Sequence, residues 1–196
     1  MTYTIKPLSP ALAGIFSDYL TGLDFSGTPH WSSCFCRFYY TTGSSEAWMN
    51  RSLETNRSEA LAEIAAGRMR GYLAFSGETC VGWCSANDVN SFPRIAGDLA
   101  KYCKEKRVGC TVCFVVHPDH RGRGLARELL ARAISDYRAE GYDAMIALPV
   151  EAPGAEQKRY RGTLNMYRQA GYHELYGNGS MHIMWLELKN GVKEGL

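Results

Sequence analysis

The reading of this chain turns on Gly109-Cys110-Thr111-Val112-Cys113-Phe114-Val115-Val116-His117-Pro118-Asp119-His120-Arg121-Gly122-Arg123-Gly124-Leu125-Ala126 and the Leu/Ala/Arg run that continues to Glu140. Val112, Phe114, Val115 and Val116 are β-branched or aromatic and lie between Gly109 and Pro118, which predicts a buried strand. After Pro118 the period of the apolar residues changes. Leu125, Leu129, Ala133 and Tyr137 recur at helical spacing, with Arg127, Glu128, Arg132 and Asp136 on the other side. Gly141 then closes the helix.

The join between strand and helix carries the chemistry. Arg121, Gly122, Arg123 and Gly124 present a row of backbone N–H groups with no Cβ at two of the four positions, so a ligand can approach the main chain closely. The first turn of a helix has unpaired amides and partial positive charge, which makes a strand–glycine turn–helix unit an anion site. Arg121, Arg123 and Arg127 add full charges, and a pyrophosphate suits the place. A P-loop would need Lys after its second glycine, and none follows. A dinucleotide fingerprint would need a third glycine where Arg127 stands. The plain alternative is a helix capped by glycines for packing.

At this point the chain resembles the GNAT superfamily of N-acetyltransferases. Arg121-x-x-Gly124-x-Ala126 fits its (Gln/Arg)-x-x-Gly-x-(Gly/Ala) turn, Val116-His117-Pro118 fits the V-x-P that leads into it, and Tyr167-Arg168-Gln169-Ala170-Gly171-Tyr172 resembles its Y-x-x-x-G-(F/Y) signature. The resemblance runs from Gly71 to Glu187, a little over half the chain. It implies a mixed α/β fold, a GNAT-like sheet that is mostly antiparallel with one splayed parallel strand pair, flanked by helices. It also implies acetyl-CoA as co-substrate, with no metal. Phe114, Val115, Val116, Arg121, Gly122, Arg123, Gly124, Leu125, Ala126 and Asn165 are the implied contacts to the coenzyme, the strand residues through their main chain. Tyr167 is the implied general acid for the departing thiolate; its plain alternative is an aromatic packed on the sheet beside Leu164. Two departures bear on mechanism. Cys110 stands where some relatives have a basic Glu, so Asp88 is taken as the candidate base, with His117, Glu151 or a water chain as substitutes. Tyr160 stands where the family usually has Asn seven residues before the tyrosine, and Asn165 is nearby but off pattern.

Composition sets the bounds. A chain of 196 residues with 45% apolar and 21% charged residues predicts one domain, 1–196, with a proper core. A net charge of +2 argues against nucleic acid or an anionic membrane as partner. There is no apolar run of membrane-spanning length and no signal-peptide pattern at the N-terminus. Seven cysteines without an export signal read as reduced thiols, so a cytoplasmic location is expected.

In chain order, Thr2–Leu8 alternates as a first strand, and Ser9-Pro10 opens a helix with a Leu12, Ile15, Phe16, Tyr19 stripe. His30–Tyr40 is dense in aromatics around Cys34-x-Cys36. It is expected to wall the acceptor pocket, against the alternative that Trp31, Phe35 and Phe38 are core. Ser44–Trp48 and about 58–66 read as helices. Gly71–Phe75 and Cys80–Asn87 form a hairpin, 87–94 a loop, and Ile95–Cys103 a short helix. Asp143–Leu148 is a strand stopped by Pro149, 151–158 a polar loop, Gly162–Ala170 a helix, and Tyr172–Tyr176 with Met181–Leu188 a last hairpin. The one parallel step joins the central strand to Asp143–Leu148.

The function expected from this is acetyl transfer from acetyl-CoA to a primary amine of a small molecule or peptide, directly in a ternary complex, with Trp31, Phe38, Tyr39, Trp83 and Asp88 as pocket candidates. The aromatic density favours an apolar or ring-bearing amine over a polyamine. The alternatives are a catalytically silent coenzyme A sensor or interaction module, and nucleic-acid binding through the Arg121–Arg132 helix. Zinc on Cys34, Cys36, Cys110 and Cys113 is disfavoured, because alternation puts Cys110 and Cys113 on opposite faces of the strand. An acyl-cysteine on Cys113 is a further alternative. Acceptor identity, acyl length and oligomeric state are left open, a homodimer included.

Overall fold

The computed structural model describes residues 2–151, 154 and 160–189. The predicted central strand is β4 (Val108–Val116), the middle of a seven-stranded sheet of order β1-β2-β3-β4-β5-β7-β6. Its neighbours are β3 (Thr79–Asp88), antiparallel, and β5 (Ala144–Ala147), parallel. The remaining strands, β1 (Thr4–Pro7), β2 (Gly71–Ser76), β6 (His173–Gly177) and β7 (His182–Glu187), pair antiparallel. The expected mixed sheet, with its parallel step between β4 and β5, is therefore the observed one.

Helix α5 (Leu125–Ala139) connects β4 to β5 and lies on one face of the sheet. Its stripe of Leu125, Leu129, Ala133 and Tyr137, joined by Leu130 and Ile134, packs with Tyr72, Ala74, Cys84 and Phe114. The other face carries α1 (Ala13–Thr21) and α3 (Leu53–Ala65) over Leu73, Phe75 and Trp83. Beside them, α4 (Pro93–Cys103) sets Leu99 over Val108, Cys110 and Ile146. Two further α-helices among the described residues, α2 (Ser45–Met49) and α6 (Leu164–Gln169), are short. Loop 151–158 was expected to be polar and irregular; apart from Glu151 and Gly154 it lies outside the described residues.

The differences from expectation are local. α3 starts at Leu53, five residues before the expected 58, because Ser52 caps it: its side chain accepts from Thr55 N at 3.1 Å. The polar first turns hid this start, since they carry no apolar stripe. α4 takes Pro93 as its first residue, where proline's missing N–H costs nothing, so it begins inside the expected loop. In α1 the buried face is Phe16, Ser17, Tyr19 and Leu20, and Ile15 is exposed.

A larger difference sits in β4. Ser85 pairs with Cys113 and Ala86 with Thr111, so Val112 is the extra residue of a β-bulge. The bulge resets the alternation. Cys110, Val112 and Cys113 all pack toward the α1 and α4 side, while Phe114 turns toward α5. The expected opposite facing of Cys110 and Cys113 is thus wrong, for the reason that period-2 counting fails across a bulge.

Gly71 shows how closely β2 and β3 are packed. A Cβ there would run into Cys84 O and the Trp83 ring. Gly71→Ala is expected to destabilise the fold by about 1–3 kcal/mol, as overpacking does, read as a lower urea midpoint. An unchanged midpoint would show that Trp83 can move aside.

Candidate functional site

β4 and β5 run side by side from Val108↔Ala144 to Thr111↔Ala147. Beyond Ala147 the chain turns to the β7 side: His182 N–H donates to Pro149 O at 3.0 Å, and Val150 bridges Met181. Among the described residues no strand pairs with 112–116 of β4 on the β5 side, so this stretch continues beside a gap. His117 N–H donates to Val81 O at 3.0 Å. In an antiparallel pair such bonds fall on alternate residues, so Cys113 and Val115 face β3 while Phe114 and Val116 direct their amides and carbonyls into the gap. Arg121 Nε donates to Val116 O at 3.0 Å, and Tyr19 Oη donates to Val115 O at 3.0 Å.

The glycine turn lies at the end of this gap. Gly122 and Gly124 have φ of +72° and +86°, the left-handed region where a side chain is strained. A Cβ built on either meets no atom within 4 Å, so both border open space. The first amides to bond back into α5 are those of Arg127 and Glu128, both to Gly124 O. The amides of Leu125 and Ala126 precede that ladder and are available to an anion. Arg121, Arg123 and Arg127 are exposed around them. A diphosphate fits this donor set, and the strand amides of Phe114 and Val116 fit an amide-bearing arm leading from it.

At the other end of the gap sits Tyr167. It is fully buried, and its hydroxyl lies 3.0 Å from Thr111 Oγ1 and donates to Arg161 O at 2.8 Å. Thr163 caps α6 by accepting from Met166 N at 3.2 Å, which fixes the helix that carries the tyrosine. Burial pushes the Tyr167 phenol well above its ordinary pKa, with the Thr111 hydrogen bond pulling the other way, so it stays protonated.

Where β5 leaves β4, a narrow recess, too tight for a water molecule in this conformation, is lined by Tyr39, Thr111, Val112, Leu148 and Arg161. Tyr39 Oη lies 3.4 Å from Tyr160 Oη, and the Tyr160 ring meets Trp31 edge-on at 5.2 Å. The structure thus brings Tyr39, and Trp31 through Tyr160, to the point where β4 opens. Phe38 sits between Tyr39, Trp48 and the Arg94 guanidinium, which lies 4.4 Å from its ring. Trp83 does not line the recess. It is a core residue, stacked edge-on with Phe16 at 4.9 Å, and its indole N–H donates to Cys36 Sγ at 3.1 Å. Asn165 is exposed on α6.

Asp88 ends β3 opposite Gly109, and its carboxylate oxygen accepts from Asn90 N and Nδ2 at 3.0 Å. Phe114 pairs with Cys84, so Asp88 stands about 13 Å further along the strand. Glu151 accepts from Leu164 N at 2.9 Å, and His117 accepts from Asp119 N at 3.3 Å. Cys36 donates to Cys113 across 3.6 Å; that bond first, and burial second, hold the Cys36 thiol protonated.

Thr111 and Arg161 are the site residues that sequence reasoning passed over, and Tyr160 was noted only as standing in place of the usual asparagine. Thr111 had a signal, as the one hydroxyl residue inside an apolar central strand. Arg161 had none, because it follows a polar stretch and owes its place to the chain's return beneath Tyr167.

The sequence model of the acetyltransferase (GNAT) family matches residues 31–172. An L-methionine sulfoximine/L-methionine sulfone acetyltransferase of Salmonella typhimurium is 32% identical over 144 residues, 72% of this chain and 74% of that protein. Among solved structures, a polyamine N-acetyltransferase of Drosophila melanogaster superposes with a TM-score of 0.56 at 12% identity, covering 95% of this chain and 100% of its own. The Salmonella typhimurium protein yncA, in a structure with its cofactor acetyl-CoA, gives 0.53 at 17% identity over 98% of this chain and 97% of its own. With the family model matching residues 31–172, from the aromatic segment through β4 to the helix that carries Tyr167, the chain belongs to the acetyltransferase (GNAT) family.

Proposed function

We propose that this chain transfers the acetyl group of acetyl-CoA directly to a primary amine of a small molecule or peptide, within a ternary complex. The observation that carries the reading is the loss of β5 beside β4 after Thr111, which leaves the Phe114 and Val116 main chain open between the glycine turn and Tyr167. The co-substrate supplies an activated acyl carbon and a thiolate leaving group. The turn amides and Arg121, Arg123 and Arg127 hold its diphosphate. A main-chain N–H of Phe114 or Val116, aimed at the acyl oxygen, stabilises developing negative charge by about 3 kcal/mol. Tyr167, kept protonated by its burial, gives the proton that the thiolate takes. A small-molecule acceptor is supported by the activity of the Salmonella typhimurium relative, an L-methionine sulfoximine/L-methionine sulfone acetyltransferase.

Among the described residues no carboxylate lines the recess, and Asp88 is some way along β3, so Asp88 would act as base only through water. The acceptor amine is then required to arrive neutral or lose its proton to solvent. The rising limb of the pH profile of kcat/KM is expected to move with the pKa of the acceptor amine across a series of acceptors. Because burial keeps the Tyr167 phenol protonated, no fall is expected near the ordinary phenol value of about 10. A rising limb that stays at one pH for every acceptor would assign the base to the protein.

Direct transfer predicts intersecting double-reciprocal plots when both substrates are varied. Parallel lines, together with loss of activity in Cys113→Ser, would establish an acyl-cysteine route instead. A sensor without turnover would bind coenzyme A and release no thiol with any amine.

A further inference from the structure

Arg161 has an unusual setting. Its carbonyl accepts a hydrogen bond from the Tyr167 hydroxyl, so its backbone touches the candidate acid, and its side chain lines the recess with Thr111, Val112 and Tyr39. Its guanidinium lies 5.6 Å from the Tyr39 ring and 5.7 Å from the Tyr160 ring, and Nε donates to Tyr160 Oη at 3.3 Å. Among the described residues Arg37, Arg51, Arg68, Arg70, Arg132 and Arg168 each hold a carboxylate, whereas the side chain of Arg161, like those of Arg57, Arg94, Arg107, Arg121 and Arg138, bonds only uncharged groups, and of these Arg161 is the one that lines the recess. Phenol rings and a hydroxyl do not neutralise a cation. A half-buried guanidinium with no anion among the described residues costs free energy that an anionic ligand would recover.

We infer that Arg161 binds the carboxylate of the acceptor, which makes the acceptor an α-amino acid. This rests on the proposed amine acetylation and names its substrate class. The planar guanidinium matches a carboxylate, with two parallel hydrogen bonds available to it. An α-amine sits two bonds from the carboxyl carbon, so a carboxylate held at Arg161 sets the amine beside Thr111 and Val112, where β4 opens. The recess is closed here, so an acceptor would enter by parting the Tyr39, Tyr160 and Arg161 side chains, and the Trp31–Tyr160–Tyr39 group of rings would then flank its side chain. The same positive charge disfavours a polyamine, which would bring like charge to the recess. It also lowers the pKa of an amine held near it, which helps a site without a close base.

The test compares L-phenylalanine, L-leucine and L-methionine with their methyl esters, in the intact protein and in Arg161→Gln and Arg161→Lys. The intact protein is expected to prefer each acid over its ester by roughly ten- to hundredfold in kcat/KM. Arg161→Gln is expected to bring the two within about threefold, chiefly through KM, with coenzyme A affinity unchanged. Arg161→Lys should restore part of the preference, since it keeps the charge and loses the fork. Equal use of acid and ester by the intact protein, or a preference that survives in Arg161→Gln, overturns the inference.

A binding arm separates this from the reaction itself. Calorimetry of N-acetyl-L-phenylalanine and its methyl ester on coenzyme A-loaded protein should show the acid bound tighter, and the difference gone in Arg161→Gln. Selective binding of the acid with no acetylation of any amine would overturn the proposed reaction and leave the carboxylate site standing. Acetylation of amines with no carboxylate preference would do the reverse.

Discussion

Tyr167→Phe is expected to lower kcat by about 10²–10³-fold while leaving the coenzyme A dissociation constant within about twofold of the intact protein. The two readouts separate because Tyr167 stands at one end of the β4–β5 gap and the glycine turn at the other. Its hydroxyl is the only part removed; the ring still fills its place in the core against Tyr172, at 5.1 Å. The loss also leaves Arg161 O without its 2.8 Å donor and Thr111 Oγ1 without its 3.0 Å partner. An orphaned buried acceptor costs about 1–3 kcal/mol of stability, so a modest fall in Tm accompanies the kinetic effect. Thr111→Val separates the two. It removes one of the same hydrogen bonds but keeps the acid, and should retain most of the rate. Tyr167→Phe with full activity would return the tyrosine to a packing role and leave the proton to water. Thiol release absent in the intact protein as well would favour the sensor reading.

How much of this was legible in the chain depends on the range of the physics involved. The β4–α5 unit could be read because every signal in it is local: β-branched residues, then Pro118, then glycines, then a 3.6-residue stripe. The bulge at Val112 could not be read, since an extra residue in one strand exists only relative to the strand it pairs with. That single residue decides which side Cys110, Cys113 and Phe114 face. Trp83 and Tyr39 illustrate the same limit from the acceptor side. Both are aromatic and both were candidates for a pocket, and residue type alone does not say which face a ring will occupy. Pairing of Trp83 with Val115 sends its ring under α1 into Phe16, whereas Tyr39 reaches the recess from an irregular segment. In that segment Phe35 and Cys36 take φ of +42° and +51°, values that no local pattern announces. Arg161 is set by a turn after residues 151–158, whose polar composition carries no period at all.

Gly124→Val is expected to weaken coenzyme A binding by at least about a hundredfold while costing the apo fold comparatively little. The reasoning separates strain from occlusion. A Cβ at position 124 touches nothing within 4 Å, so no neighbour is displaced. The penalty inside the protein comes from φ of +86°, which a β-branched residue takes only with strain on the order of 1–3 kcal/mol. That strain can relax by tilting the N-terminus of α5, which would swing the Leu125 and Ala126 amides off the diphosphate. Even without relaxation, the isopropyl group would stand in the open space that the diphosphate needs. Gly124→Asn tells these apart, because asparagine tolerates the left-handed region and spares the backbone while still placing atoms there. If Asn binds coenzyme A as the intact protein does and Val does not, the turn's conformation is what the ligand requires. If both lose binding, the requirement is an empty approach to the main chain. A Val variant that binds normally would remove the diphosphate from this turn, and with it the placement of the acyl group beside Phe114 and Val116.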